Sequence, residues 1–485
     1  MIERIAVESG SYHDSVTLMA VGGEIGRREG VDAALVAMAT ELNVGLLGDL
    51  GFAVPDGATP NDLVIAVRAV DDDTADHALA AATARLAERS SSSGSTAEEA
   101  PPPTTAAATR RATAQVALVS TPGASAFVEA VDALRSGLHV VVFSDNVPID
   151  QEQQLKAEAA ERDLLLMGPD CGTVVLGGLG LGFANVVRPG PVSLVAASGT
   201  GAQQACALLA HADVGVNHVL GVGGRDLSDE IGGASTIRAL RMLDDDPATE
   251  LIGLVVKSAT DAVNARIADA VDRLDTPVLH IAADRPGDDL TAGTDRLLER
   301  LGVTVPRWPS WVSHQHTSGP GPLRGLFAGG TLCREALTIA EPDIGTLSTN
   351  LRSPDLDPAT PGHVLLDLGA DEMTQGRPHP MIDQLLRLRR LEADAVASDG
   401  SVILLDVVLG HGAHPDPASE LVPAIAEARQ RDAAPAVVVS IIGTPDDPQG
   451  LVGQAEALAG AGADVFVSNA EAARHATSLA LGVSS

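Results

Sequence analysis

The sequence predicts an α/β protein built from parallel sheets that helices cover on both faces. Three observations predict it. The chain has 485 residues, enough for about three domains at roughly 150 residues each. Short β-branched runs alternate with Ala-rich stretches along most of its length. Those runs are apolar throughout, the pattern of strands buried on both faces and joined by right-handed βαβ units.

Taken in order, the first 90 residues alternate as well, with shorter and more polar strands. Residues 90–113 hold Ser, Pro and Ala but no large apolar side chain. Such a stretch cannot repay its ordering entropy and is expected to be a flexible insertion. Strands are then expected at Val116–Val119, His139–Phe143 and Leu164–Met167, with helices near Ala124–Ser136 and Gln151–Arg162. The theme repeats at Val192–Ala196, Val219–Val222, Leu251–Val256 and Val278–Ile281. It repeats again at Leu323–Phe327, Val364–Leu368, Val402–Val407, Val437–Ile441 and Val465–Val467. Between these sets, Val305–Pro322 carries both tryptophans, Trp308 and Trp311, and reads as an ordered crossing segment. The expected division is a small α/β module at 1–89, the insertion at 90–113, and sheet-bearing regions at 114–190, 191–320 and 321–485.

Composition excludes several functions. Basic residues number 32 and acidic residues 65, a formal net charge of −33. That field repels phosphate backbones, so neither nucleic acid nor an anionic membrane is an expected partner. Aromatics are 2%, which excludes an aromatic platform for RNA bases. The three cysteines (Cys171, Cys206, Cys333) are odd in number and far apart, which excludes a disulfide scaffold or zinc ribbon and suits a reducing cytosol. No signal peptide and no membrane-spanning run is read, so a cytoplasmic location is expected. His314 and His316 lack a ligand spacing, and no metal is expected.

Five loops could carry chemistry. The first is the turn Ser198-Gly199-Thr200-Gly201, which leads from an apolar strand straight into a helix; its N–H groups and hydroxyls form an anion site or, more plainly, a capped βα turn. Gly329-Gly330-Thr331 repeats that grammar, and the pair suggests two helix starts aimed at one anionic group. Gly223-Gly224-Arg225-Asp226 follows a strand where open α/β sheets place ligand loops, or it forms a structural salt bridge. In the fourth loop, Asp367, Asp371, Glu372, Arg377 and His379 crowd together, with Pro378 and Pro380 stiffening the chain around His379. The fifth is Gly410-His411-Gly412 with His414, a ligand loop or a hinge. Only Lys156 and Lys257 are lysines; Lys257 closes a strand and offers a compact charge for a phosphate.

Those residues carry a resemblance. Met167–Thr173 (MGPDCGT), Ala197–Gly201 (ASGTG), Gly223–Leu227 (GGRDL), Gly376–Asp383 (GRPHPMID) and Ser9–Met19 (SGSYHDSVTLM) resemble the FdrA family of acyl-CoA-synthetase-like proteins, over nearly the whole chain outside 90–113. More distantly, 116–173 is similar to half of the CoA-binding domain of a succinyl-CoA synthetase α subunit, and 192–301 to its ligase domain. The part from Leu323 onward is similar to the carboxy-terminal domain of the β subunit. The resemblance implies a Rossmann-like amino-terminal region followed by two flavodoxin-like, succinyl-CoA-synthetase-type parallel-sheet domains. It also implies that the turns at Ser198–Gly201 and Gly329–Thr331 face a phosphate. The chain departs from the synthetases in three ways: 282–293 has no phosphohistidine, there is no ATP-grasp domain, and Met1–Arg89 replaces the half with the glycine-rich CoA loop. No cofactor is therefore expected, CoA being the one such ligand the fold admits.

Family members resemble a subunit of an oxamate carbamoyltransferase, active in purine and allantoin catabolism with separate partner subunits. The leading expectation is thus a carbamoyltransferase subunit interconverting oxalurate plus phosphate with oxamate plus carbamoyl phosphate. The two turns would bind phosphate, Arg225, Arg377 or Lys257 would neutralise remaining charge, and His379 would move a proton at the attacking amide. The alternatives are an acid–CoA ligase or CoA-transferase subunit, and a scaffold subunit that only senses the anion.

Overall fold

A computed structural model describes the chain except residues 10–14, 54–56, 60–61, 92–101, 257–258, 286, 313–319, 375–377, 398–399, 432 and 484–485. It divides into two units, one of Met1–Pro101 and one built from Pro102–Thr374 with Pro378–Ser485.

The first unit contains β1 (Ile2–Ser9), α1 (Ser15–Gly26), β2 (Val31–Met38), α2 (Glu41–Asp49), β3 (Asp62–Ala69) and α3 (Asp72–Ser91). Its sheet has the order β1-β3-β2, and β3 runs antiparallel to both neighbours. The small α/β module expected at 1–89 is present, but its sheet is antiparallel rather than Rossmann-like. A split βαβ unit gives the same alternation along the chain as a Rossmann unit, and the pairing depends on which gap the third strand fills. Period-two alternation lets β3 bury both faces. Leu63, Ile65 and Val67 pack with Leu18, Val21, Ala78 and Ala82 of α1 and α3, while Val64 and Ala66 pack with Leu47 and Phe52.

The second unit opens with α4 (Thr105–Thr109), so the expected insertion is partly helical within its described residues. Next come β4 (Val116–Val119), α5 (Gly123–Arg135), β5 (His139–Val142), α6 (Ile149–Glu161) and β6 (Leu166–Met167), which make a parallel sheet ordered β4-β5-β6. A hairpin follows, β7 (Thr173–Leu176) and β8 (Leu179–Gly182). It forms one edge of a sheet completed by β9 (Val192–Ala196), α7 (Gly199–His211), β10 (Val216–Gly221), α8 (Ala234–Asp244), β11 (Leu251–Val256), α9 (Asp261–Val271), β12 (Val278–Ala282) and α10 (Leu290–Arg300). The order is β12-β11-β9-β10-β7-β8, parallel from β12 to β10 and antiparallel beyond.

The chain then crosses through β13 (Ser310–Trp311) to the last sheet. Its elements are β14 (Leu323–Phe327), α11 (Gly330–Ile344), β15 (Ser348–Thr349), β16 (Val364–Asp367), α12 (Asp371–Thr374), α13 (Leu385–Val396), β17 (Val402–Val408), α14 (Pro417–Arg429), β18 (Ala436–Ile442), α15 (Leu451–Gly460), β19 (Ala463–Phe466) and α16 (Asn469–Ala480). The order is β13-β19-β18-β17-β14-β16-β15, with only β13 antiparallel. Every residue of β9, β14, β17 and β18 is buried, as expected of strands covered on both faces. One apolar core runs from α7 through α11 to α16, so the two ligase-like sheets share packing and bring their βα turns together.

Candidate functional site

The two glycine-rich turns meet. Ser198 caps α7 in extended conformation, its Oγ accepting from Gly201 N at 3.0 Å. The same hydroxyl donates to Thr331 Oγ1, in the first turn of α11, at 2.6 Å. Gly329 lies so close that a Cβ there would stand 2.7 Å from Thr200 Oγ1 and Cγ2. Only glycine admits this approach. On its other side, Gly199 lies against Thr173 of the Met167–Thr173 motif, whose Oγ1 would be 3.0 Å from an added Cβ. Leading N–H groups of a helix have no intrahelical acceptor and favour negative charge.

The two turns are not equivalent. Ala328 N and Gly329 N donate to the fully buried Asp406 carboxylate at 2.7 and 2.9 Å, and Arg387 pairs with the same group at 3.0 Å. A side chain added at Gly330 would collide with the Asp367 carboxylate. Asp367 Oδ1 accepts from Gly369 N at 3.0 Å, and its backbone N–H donates to Asn350 Oδ1 at 2.8 Å. Negative charge therefore already sits at the second helix start, and the first is the better placed for a ligand anion. The sequence contained this signal, since both aspartates occur in apolar strands, but not the pairing that reveals it.

Around this junction the other loops take distinct parts. Gly223 has φ +88°, and a Cβ there would stand 2.5 Å from Pro169 O; the motif at Met167–Thr173 packs against Gly223 in this way. Gly224 is half-buried beside it. Asp226 is not a ligand group. It is 0% exposed and accepts from Lys156 Nζ at 2.6 Å, Ser235 N at 3.0 Å, and Thr236 N and Oγ1 at 2.9 and 2.7 Å. Lys156 also pairs with Glu152 at 3.1 Å, and Glu152 with Arg225 at 2.9 Å. The lysine that sequence reading passed over is thus a buried strut. Its position on a helix face with Glu152 four residues before was the available clue. Arg225, held also by Val147 O at 2.7 Å, keeps 43% of its side chain exposed. Asp371 lies within its electrostatic reach: burial, Asp145 and Glu372 push its carboxyl up, and Arg225 opposes them.

His379 is half-buried beside Phe183, with ring centroids 5.7 Å apart, and Phe183 in turn meets Phe143 at 5.6 Å. Burial, then Arg387, lowers its pKa to about 4. Its Nδ1 accepts from Met381 N at 3.2 Å, which fixes the proton on Nε2 and makes the ring a neutral donor rather than the expected base. Gly410 and His411 serve architecture. His411 N and O exchange hydrogen bonds with Ala184 at 2.8 and 3.2 Å, and Gln449 brackets Gly410 N and O at 3.0 and 2.8 Å. The His411 ring is exposed. Lys257, Arg377, His314 and His316 lie outside the described residues. Among the described residues no cluster of three or more His, Cys, Asp or Glu could hold a metal ion. Burial pushes the Cys171 and Cys206 thiols to about 12 and that of Cys333 well up, so none is a nucleophile. Among the described residues, no helix is long and apolar enough to cross a membrane.

Joined α/β sheets with abutting helix starts define a CoA-ligase-type protein. Residues 326–479 match the CoA-ligase family model, and residues 1–102 match the AllF heavy metal-associated domain. The chain belongs to the FdrA-like family of acyl-CoA-synthetase-like proteins, being 34% identical over 499 residues to the Escherichia coli K12 protein YahF, with 95% of each chain covered. Over 149 residues it is 32% identical to the succinate–CoA ligase subunit alpha 2 of Archaeoglobus fulgidus, covering 30% of this chain and 50% of that one. The dinucleotide-forming acetyl-coenzyme A synthetase 1 of Ca. Korarchaeum cryptofilum, solved with phosphate and ADP, aligns with a TM-score of 0.32 at 16% identity, covering 78% of this chain and 85% of that one.

Proposed function

We propose that the protein is a CoA-ligase-like subunit that holds an acyl phosphate at the first helix start and passes its acyl group on. These similarities favour this reading over the leading expectation of carbamoyl transfer. The observation that carries it is the Ser198–Thr331 hydrogen bond, which joins two glycine-rich helix starts at one point. The leading N–H groups of α7 would take the phosphate oxygens, and Arg225 would add positive charge from the neighbouring loop. In the transfer the CoA sulfur attacks the acyl carbon, the carbon–oxygen bond to phosphate breaks, inorganic phosphate leaves, and the thiol proton passes to solvent. His379, neutral with its proton on Nε2, is suited to donate a hydrogen bond to the acyl oxygen as charge develops there. Partner subunits would supply the nucleotide-dependent step.

A second reading is carbamoyl transfer between oxalurate and phosphate, giving oxamate and carbamoyl phosphate. It is favoured by one feature, the absence of histidine from 282–293, since carbamoyl phosphate needs no phosphohistidine. Both readings place an acyl-phosphate-type anion at Ser198–Gly201. The test mixes the purified chain and its genomic neighbours with acetyl phosphate and CoA, or with carbamoyl phosphate and oxamate. Thioester formation supports the first reading, and phosphate release that depends on oxamate supports the second. If neither exceeds the level seen with Ser198→Ala, both readings fail.

A further inference from the structure

One turn into α7 lies a buried amide whose polar atoms find no hydrogen-bond partner among the described residues. Gln203 is 1% exposed, and neither its Nε2 nor its Oε1 has a hydrogen-bond partner among the described residues. A buried amide without partners is costly, and most find them. The adjacent Gln204 does: its Oε1 accepts from Asn469 N at 2.9 Å and its Nε2 donates to Val467 O at 3.0 Å. The position of Gln203 explains the difference. Helical side chains lean toward the N-terminus over residues three and four before them, here Thr200 and Gly199. Gly199 looks onto Thr173 and Thr200 onto Gly329. Gln203 therefore lies one turn further along the helix face on which Gly199 meets Thr173 and Thr200 meets Gly329.

We propose that Gln203 is a specificity-determining residue that hydrogen-bonds the substrate. The group it meets is neutral and offers both a donor and an acceptor, as a carboxamide does, close to the substrate's anionic end. The assignment rests on the reading that the first turn holds that anionic end. A second carboxylate offers acceptors only; it would satisfy Nε2 and set Oε1 against negative charge. A carboxamide satisfies both atoms side by side. Gln203 then discriminates between a dianion and its half-amide, which helix N–H groups alone do not.

Calorimetric titration of the full chain with succinamate and with succinate tests this, because the pair differs only in one carboxamide for one carboxylate. The wild type is expected to bind succinamate at least about tenfold more tightly. Gln203→Leu is expected to bring the ratio to about one, to leave inorganic phosphate binding intact, and to melt at a higher temperature, since it removes an unpartnered buried amide. A wild type that binds phosphate without preferring succinamate overturns the assignment. So does an unchanged preference in Gln203→Leu, or a fall in its melting temperature, which would mean that the amide serves the fold. Gln203→Met repeats the comparison should the leucine variant fold poorly. If the wild type binds none of the three anions, the anion site itself is overturned and the assignment falls with it.

Discussion

Ser198 performs two tasks with one hydroxyl, capping α7 through Gly201 N and donating to Thr331. Ser198→Ala should therefore cost about 1 kcal/mol from the cap alone, and more if the bridge adds to it. Thr331→Val removes only the bridge, so urea denaturation of both variants separates the two tasks. His379 gives a second prediction at this scale. Its folded pKa of about 4 lies below the ordinary 6.5. Above pH 6.5 folded and unfolded chains are both neutral at this ring, and the stability is fully present. As pH falls from 6.5 through 4, the unfolded chain takes up a proton that the folded one resists, and stability drops by up to about 3 kcal/mol. Stability measured against pH should lose that slope in His379→Gln; an unaltered slope would show that other groups cause it.

At the scale of elements, Gly223→Ala places a Cβ 2.5 Å from Pro169 O at a backbone φ of +88°. We expect a loss of about 2–4 kcal/mol in thermal denaturation, because a backbone carbonyl cannot swing aside as a side chain can. Much of this was legible beforehand. Val116–Val119, Val192–Ala196, Leu251–Val256 and Leu323–Phe327 have the same bounds in sequence and structure, since short, mostly apolar runs bounded by polar or turn-forming residues admit few other readings. The β7–β8 hairpin was not legible: Gly177, Gly178, Gly180 and Gly182 dilute its pattern, and its register comes from pairing with β10. The strand pairing of the first unit was not legible for a related reason. Alternation reports the order of elements, while antiparallel pairing of β3 depends on contacts between distant residues. At the site, the turns were visible as glycines and hydroxyls, whereas Gln203, Asp406 and Lys156 gained meaning only from their surroundings.

For the whole molecule, two predictions concern charge. The Glu152–Lys156–Asp226 cluster joins α6 of the small parallel sheet to the loop after β10, with Lys156 only 5% exposed. Lys156→Met leaves the buried Asp226 carboxylate without a cation, while Glu152 keeps Arg225, and should cost about 3–5 kcal/mol, read as a lower denaturation midpoint. The net charge of −33 predicts a melting temperature that rises with salt, as screening shortens from about 30 Å at 0.01 M to about 3 Å at 1 M; a flat response would mean that the surface charges are already compensated locally. Within that acidic shell, Asp406 holds Ala328 N and Gly329 N as a rival that never diffuses away. A tethered competitor acts at an effective concentration of about millimolar or more. An anion arriving at the second helix start would find these two N–H groups already taken, so the fold itself reserves one of the two abutting turns and leaves the other open.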